Sequence, residues 1–481
     1  MRHHRFVVAT AAAWSALALG ALVAALSLPI DDFWLSLASA REIAAGADPA
    51  HAIDLSWTPK LPDALNPQWG AQVVLGLPGS VGGALLINAA LIAGGLGLTA
   101  VRIRRRVGPA ATAIAMLAVI AVLAPHLLAR AQSFSVVLLS AALLLLDRRP
   151  APPWQPLAYG VLVAVWANLH GAFVIGQVAA GAALVTELVA QRRHDPTVRP
   201  VTSALTLVVA LAAPLLNPAG PALIGYAYAQ PGLDLVRSIS VEWQPSWPWI
   251  PVAALFWIYA ALVAAAALVR RGAIGHGELL LTGALGILAV TGIRLIPWFV
   301  LASAPLLGGG VEVALHAARG PGRVIGEVRG PLGGPRAAYW VVAVGILVVL
   351  LQPIRPALPY GIGRVTPDAP VEMADRLEKR LAAGAADRIL NEQVWGGYLA
   401  YRLGDRLKTA MDGRLEIRDR ATWVAYFSMM NGRDDPASAL AAADVHWAAL
   451  SDRRDALTTA LLAAGWRIEL DAPDGLLLHR P

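Results

Sequence analysis

The sequence predicts a polytopic α-helical membrane protein that ends in a small α/β domain, and three observations carry that reading. Of 481 residues, 57% are hydrophobic and only 15% are charged, a balance suited to lipid contact rather than to one large soluble core. Apolar runs that span or nearly span a bilayer start near residues 6, 80, 108, 133, 153, 171, 202, 250, 278, 296 and 337. Beyond about residue 353 the composition turns ordinary, with helical and strand-like patterns in alternation. The domains are therefore read as 1–353 transmembrane, 354–368 a Pro/Gly-rich linker, and 369–481 an extracytoplasmic α/β domain.

The first run, Phe6 to Ile30, is too long for a signal-peptide core and ends without a small-residue cleavage pattern, so it is read as a retained span. Several of the eleven runs are only about 15 to 17 residues long, short for a hydrocarbon core of about 30 Å. No cysteine is present, which excludes disulfides, thiolate metal sites and cysteine nucleophiles.

The net charge of +7 does not point to nucleic acid. Residues 354–481 hold 17 basic and 18 acidic side chains, so the excess lies in the membrane part. There it sits in alternate short loops: 17 arginines on one set, against Arg41, Lys60, Arg130, Arg237 and Arg294 on the other. By the positive-inside rule the N-terminus is cytoplasmic. Asp31, Asp32 and the C-terminal domain then face outward. An Ala/Gly/Arg-rich, Lys-poor composition points to a high-GC bacterium, hence its inner (cytoplasmic) membrane.

On the outer side, residues 34–46 place Trp34, Leu37, Ala38, Ile43 and Ala44 at near-helical spacing, which predicts a short amphipathic helix at the interface. Residues 67–78 are too short to span and suit an interfacial or re-entrant segment, and Trp243, Trp247 and Trp249 would anchor the long loop 217–249. In the tail, helices are expected at Val371–Ala383, Trp395–Leu403, Ala421–Met430 and Asp455–Ala464. Strands are expected at Arg388–Leu390, Leu407–Met411, Val445–Leu450, Trp466–Leu470 and Gly475–His479, the last two joined as a hairpin by Asp-Ala-Pro-Asp.

Candidate chemistry gathers at the outer ends of the spans. Two adjacent carboxylates, Asp31 and Asp32, close the first run, where charge is costly to hold and so reads as functional; marking the end of a span is the bland alternative. His126, Arg130, Asn168, His170, Asn217, Glu242 and Arg294 end or flank other spans on the same side. Taken singly, His170 reads as a histidine satisfied by nearby backbone and Arg294 as an interface cation; their co-location argues for a site. In the tail, Asp412-Gly413-Arg414 could meet an acceptor glycan, or could be a turn whose arginine pairs with a neighbouring acid. Trp395 could stack on a sugar, or could simply start a packed helix.

An acidic pair after the first span, followed by a helix with Arg41 and Gly46, resembles the GT-C superfamily, polytopic glycosyltransferases that use polyprenyl-phosphate sugars. The stretches NPQWGAQVVLGL, LARAQSF, WANLHGAFVIG, LLNPAG, VEWQPSW and RLIPWFVLASAP are similar to one bacterial branch of it, as is NEQVWGGYLAYRLGDRLKTAMDGRLE in the tail. Ala131 departs from the Arg-Pro expected there. The resemblance implies a GT-C-like bundle with catalysis on Asp31, and with Asp32 as its partner. One of these carboxylates would deprotonate the acceptor hydroxyl, or the pair would hold a divalent metal, Mg or Mn. Arg130 and Arg294, with His170, Glu242 and His126, would meet the donor phosphate. The implied partners are a polyprenyl-phosphate sugar, membrane lipids, and an envelope glycan, lipid or protein as acceptor, with no nucleic acid. Two other classes compete: a non-catalytic envelope scaffold, and a lipid or solute transporter, which would show internal repeats or broken spans at mid-membrane.

Overall fold

The structure, a computed structural model, describes residues 28–193, 198–229, 234–247, 250–319, 369–381 and 387–481. The expected spans near residues 6 and 337, the 354–368 linker and Trp249 lie outside these residues. By packing the chain forms two compact units. Among the described residues one takes in those from 80 to 319, the other 28–79 with 369–381 and 387–481.

The first unit is helical. Four of its described helices are long and apolar enough to cross a membrane: Val81–Arg104, Pro109–His126, Phe173–Arg192 and Ile293–Ala318. The pair Pro200–Leu216 and Pro221–Ala229 qualifies as one span bent by 106°, and Gln132–Leu146, Gln155–Leu169, Ala253–Val269 and His276–Thr291 are apolar but shorter. Length and composition thus give four or five spans among the described residues, fewer than the eleven apolar runs suggest. The helix starts nevertheless fall within a few residues of the expected positions. Local signals set them: Ser80 Oγ accepts the Gly83 N–H, and Pro109 and Pro200 stand at first helical positions where the missing donor costs nothing. At the bend, Asn217 Oδ1 accepts the Ala219 N–H at 2.9 Å and Gly220 takes φ +53°. The core is lined by Trp166, Tyr159, Phe173, Phe256, Tyr259 and Phe299. Small residues bring helices close; a Cβ on Gly95 would stand 2.7 Å from Val136 Cγ1.

The second unit is α/β, and its sheet has five strands: β1 (Asp387–Asn391), β2 (Leu407–Thr409), β3 (Trp447–Leu450), β4 (Arg467–Ala472) and β5 (Gly475–His479), in the order β2-β1-β3-β5-β4. β1 pairs in parallel with β2 and β3, whereas β5 runs antiparallel to β3 and β4, giving the expected hairpin. Helices Val371–Arg380, Gly396–Leu403, Arg420–Met430 and Asp455–Ala463 form at the expected places. A further helix, Pro436–Ala442, was not foreseen although its signal is present: Asp435 caps it by accepting the Ser438 N–H, with proline at its first position.

The chain before the first described span belongs to this unit. Ser56 forms a parallel bridge with Thr409, and the Trp57 N–H bonds Thr409 O at 2.9 Å, so the 54–58 stretch extends the β2 edge. Helix Asp31–Ala44 differs from the expected surface helix. Every residue from Phe33 to Ala40 is buried, because helices Trp69–Gly76 and Gly396–Leu403 pack against it. Trp34 stands edge-on to Tyr398 at 5.1 Å, and Arg41 donates to Ala400 O at 3.0 Å.

Candidate functional site

Asp31 opens helix Asp31–Ala44, and its carboxylate is gripped from the C-terminal part of the same unit. Oδ1 accepts the Gly397 N–H at 2.6 Å, and Oδ2 accepts the Gly413 N–H at 2.8 Å. Gly397 belongs to the first turn of helix Gly396–Leu403, so a carboxylate sits where unpaired N–H groups and the helix dipole favour an anion. Both glycines permit a close approach. A Cβ on Gly413 would stand 2.6 Å from Asp31 Oδ2 and 3.3 Å from Asp32 Oδ1; one on Gly397 would meet Asp31 O at 2.6 Å. Asp32 is partly exposed, and its carboxylate lies beside Gly413.

Behind this grip the Asp412-Gly413-Arg414 loop is fixed by its own charges. Arg414 donates to Asp412 through Nε at 3.0 Å and Nη2 at 2.7 Å, and through Nη1 to Ile53 O at 2.7 Å. Ser56 Oγ donates to Asp412 Oδ2 at 2.9 Å, and Arg418 approaches the same oxygen at 3.5 Å. Asp412 is 0% exposed and Arg414 9%. Trp395 is buried as well, in a short turn that leads into helix Gly396–Leu403. All three candidate acceptor residues therefore lie inside the domain, with no charge or ring laid open on a surface.

Burial pushes the Asp31 carboxyl well above its usual range, helped by the negative charges of Asp412 and Asp32 and opposed by the two backbone N–H groups. Burial raises Asp412 too, but Arg414 and then Arg418 outweigh it and hold that carboxyl well below the usual range. Two acids of one unit are thus driven apart, Asp412 toward permanent charge and Asp31 toward proton exchange.

A bound Mg or Mn would need several oxygen donors. Among the described residues no three His, Asp or Glu side chains gather to hold a metal, and both Asp31 oxygens already accept N–H donors. The described residues thus offer no ready-made cage for a resident divalent cation.

The helical unit brings the other candidates together. Glu242 bridges two arginines, at 2.9 Å from Arg130 and 3.5 Å from Arg294. Burial raises the Glu242 carboxyl, but the charges of Arg130 and then Arg294 carry it down to about 2. Arg294 also lies over the Trp243 ring, 5.4 Å from its centre. His126 lies within electrostatic reach of Arg130 and Glu242, and His170 within reach of both arginines.

The His170 ring is oriented by two donors at Nδ1, one of them set in turn by Trp166. Trp166 Nε1–H donates to Ser135 Oγ at 2.7 Å, leaving that hydroxyl to donate to His170 Nδ1, 2.9 Å away. The Ala172 N–H, which can only donate, also points at Nδ1 at 3.2 Å. Nδ1 is therefore an acceptor, and the ring carries its proton on Nε2.

The opposite ends of these helices carry ion pairs of their own. Arg102, 4% exposed, pairs with Asp147 at 2.7 Å and donates to Ala302 O at 3.1 Å, while Arg149 pairs with buried Glu187. Partners far apart in sequence gather there and close on one another.

No family model matches the chain, and no curated protein matches it. Among solved structures, ArnT from Cupriavidus metallidurans, bound to undecaprenyl phosphate, superposes with a TM-score of 0.52 at 15% identity, over 98% of this chain and 97% of that one. The archaeal oligosaccharyltransferase AglB from Archaeoglobus fulgidus, in complex with an inhibitory peptide and a dolichol-phosphate, gives 0.51 at 12% identity, over 97% of this chain and 74% of that one. Both are GT-C proteins, and the likeness runs the length of the chain. The chain is a multi-pass membrane protein with a GT-C-like fold.

Proposed function

We propose that this protein is a glycosyltransferase that moves a sugar from a polyprenyl-phosphate donor to a hydroxyl of a cell-envelope acceptor, on the extracytoplasmic side of the inner membrane. The observation that carries the reading is Asp31: a carboxylate gripped by two backbone amides yet held above its usual titration range, within a fold shared with proteins bound to polyprenyl phosphates.

In the step proposed, the acceptor oxygen attacks the anomeric carbon while its proton passes to Asp31. The bond from that carbon to the phosphate oxygen breaks, and polyprenyl phosphate leaves with the electron pair. Single displacement inverts the anomeric configuration. Asp32 is the partner that keeps negative charge beside the base. Arg130 and Arg294 meet the charge that grows on the phosphate, Glu242 holds the two guanidiniums together, and His170 donates through Nε2–H. His126 completes this polar group. The test is transfer by the full-length protein in lipid nanodiscs, offered a panel of radiolabelled undecaprenyl-phosphate sugars. Turnover of one donor supports the reading, and turnover of none with no donor binding refutes it.

The tautomer of His170 makes a separate prediction. Glutamine can place its amide N–H where Nε2–H stood, whereas asparagine is too short. His170→Gln is expected to bind undecaprenyl phosphate within about 3-fold of wild type, and His170→Asn about 10-fold more weakly, one charge-assisted hydrogen bond being worth about 1.5–3 kcal/mol. Equal loss in both variants, read by tryptophan-fluorescence titration, would remove His170 from the phosphate site.

A further inference from the structure

We infer that the Asp412-Gly413-Arg414 loop positions the Asp31 carboxylate for proton transfer, so that the C-terminal domain acts on the reaction through its backbone. This rests on the reading of Asp31 as the base.

The loop reaches Asp31 with a single donor, the Gly413 N–H at 2.8 Å, and that donor has no latitude. On one side of Gly413, Asp412 is fully buried and accepts from Arg414, Ser56 and the Arg414 backbone N–H. On the other, Arg414 spends three nitrogens on Asp412 and Ile53 O. Ile53 and Ser56 belong to the stretch that follows helix Asp31–Ala44, so the segment that carries the acid also anchors the loop that grips it. Gly397 closes the grip from the first turn of its helix, on the other carboxylate oxygen. The charged groups facing Asp31 are Asp32 from its own helix, and Asp412 and Arg414 from the loop, with Arg418 behind Asp412. Asp412 and Arg414 are positioning residues, since they act through Gly413.

Gly413 is the residue to change. Its φ is not positive, so alanine suits the backbone, and the atom its Cβ would strike is Asp31 Oδ2, the free end of a side chain. Gly413→Ala therefore preserves the fold and turns the carboxylate out of its place. A misplacement of about 1 Å can cost about 10²-fold in rate. The experiment uses the full-length protein in nanodiscs and the undecaprenyl-phosphate sugar that wild type turns over. It compares kcat, KM and undecaprenyl-phosphate affinity for wild type, Asp31→Asn, Gly413→Ala and Arg414→Lys.

The expected result is an inactive Asp31→Asn and a Gly413→Ala with kcat down about 10²-fold. Donor affinity and melting temperature stay at wild-type values. Arg414→Lys, which keeps the charge but loses the fork, falls between. Wild-type kcat in Gly413→Ala, with Asp31→Asn inactive, overturns the inference and leaves Asp31 as the base. Loss confined to KM or to melting temperature also overturns it, because a structural role moves those instead. Full turnover in Asp31→Asn overturns the reading beneath it.

Discussion

Asp31→Asn is expected to lower kcat by about 10³-fold or more, at the upper part of the range for loss of a positioned general base, with donor binding unchanged. Asparagine keeps the shape of the side chain but accepts no proton. It also meets the N–H of Gly397 and Gly413 with one oxygen and one NH₂, so one of those donors loses its acceptor. The wild-type pH profile carries a sign. Catalysis needs ionised Asp31, whose carboxyl is raised by burial and by Asp412 and Asp32, so the acidic limb of kcat falls above the ordinary aspartate range near pH 3.9. Because the folded-state value is raised, this group's contribution to stability is full below the ordinary value and declines as pH rises toward the raised one. Asp412 has the opposite sign. Its carboxyl is depressed by Arg414 and Arg418, so its contribution is present above the ordinary range and is lost as pH falls through it and below. A kcat profile whose acidic limb lies at or below pH 3.9 would contradict the burial account of Asp31.

Arg294→Gln is expected to weaken undecaprenyl-phosphate binding about 10-fold and to lower kcat about 10²-fold, because charge grows on the phosphate as the glycosidic bond breaks. Arg294 is the better probe of the two cations. Its side chain is 26% exposed and its contact with Glu242 is 3.5 Å, whereas Arg130 is 4% exposed at 2.9 Å. Removing Arg130, the more buried cation, would also strip Glu242 of its shorter partner and so mix a structural cost with the loss of a phosphate contact. Arg294→Lys should restore part of the binding, since it returns the charge without the planar fork over Trp243. Donor affinity measured by fluorescence titration at several ionic strengths checks this. Affinity in Arg294→Gln equal to wild type would place the phosphate elsewhere.

Periodicity made much of this legible. Helix starts near 80, 108, 133, 153 and 171 follow from apolar runs bounded by Gly, Pro and Arg. The β4–β5 hairpin follows from two short strands about a turn sequence. What stayed hidden depends on contacts between distant residues. Helix Asp31–Ala44 looks amphipathic by itself, yet its Phe33–Ala40 stretch is buried on every face, because its second cover comes from Gly396–Leu403, more than 350 residues on. The acids were visible as a pair, but the Gly397 and Gly413 amides carry no side-chain signal; the Trp-Gly-Gly and Asp-Gly-Arg stretches hinted at turns only. Arg102 stands in the sequence as one of the inner-side cations, and its pairing with Asp147, 45 positions on, carries no local signal.

The measurement that bears most directly on the whole account is sugar transfer by purified full-length protein in nanodiscs, from undecaprenyl-phosphate sugars, with wild type and Asp31→Asn side by side and undecaprenyl phosphate binding read in the same samples. The account predicts turnover of one donor by wild type, release of undecaprenyl phosphate, and loss of transfer in Asp31→Asn with binding retained. Equal transfer by both proteins, or neither transfer nor binding by wild type, would contradict it.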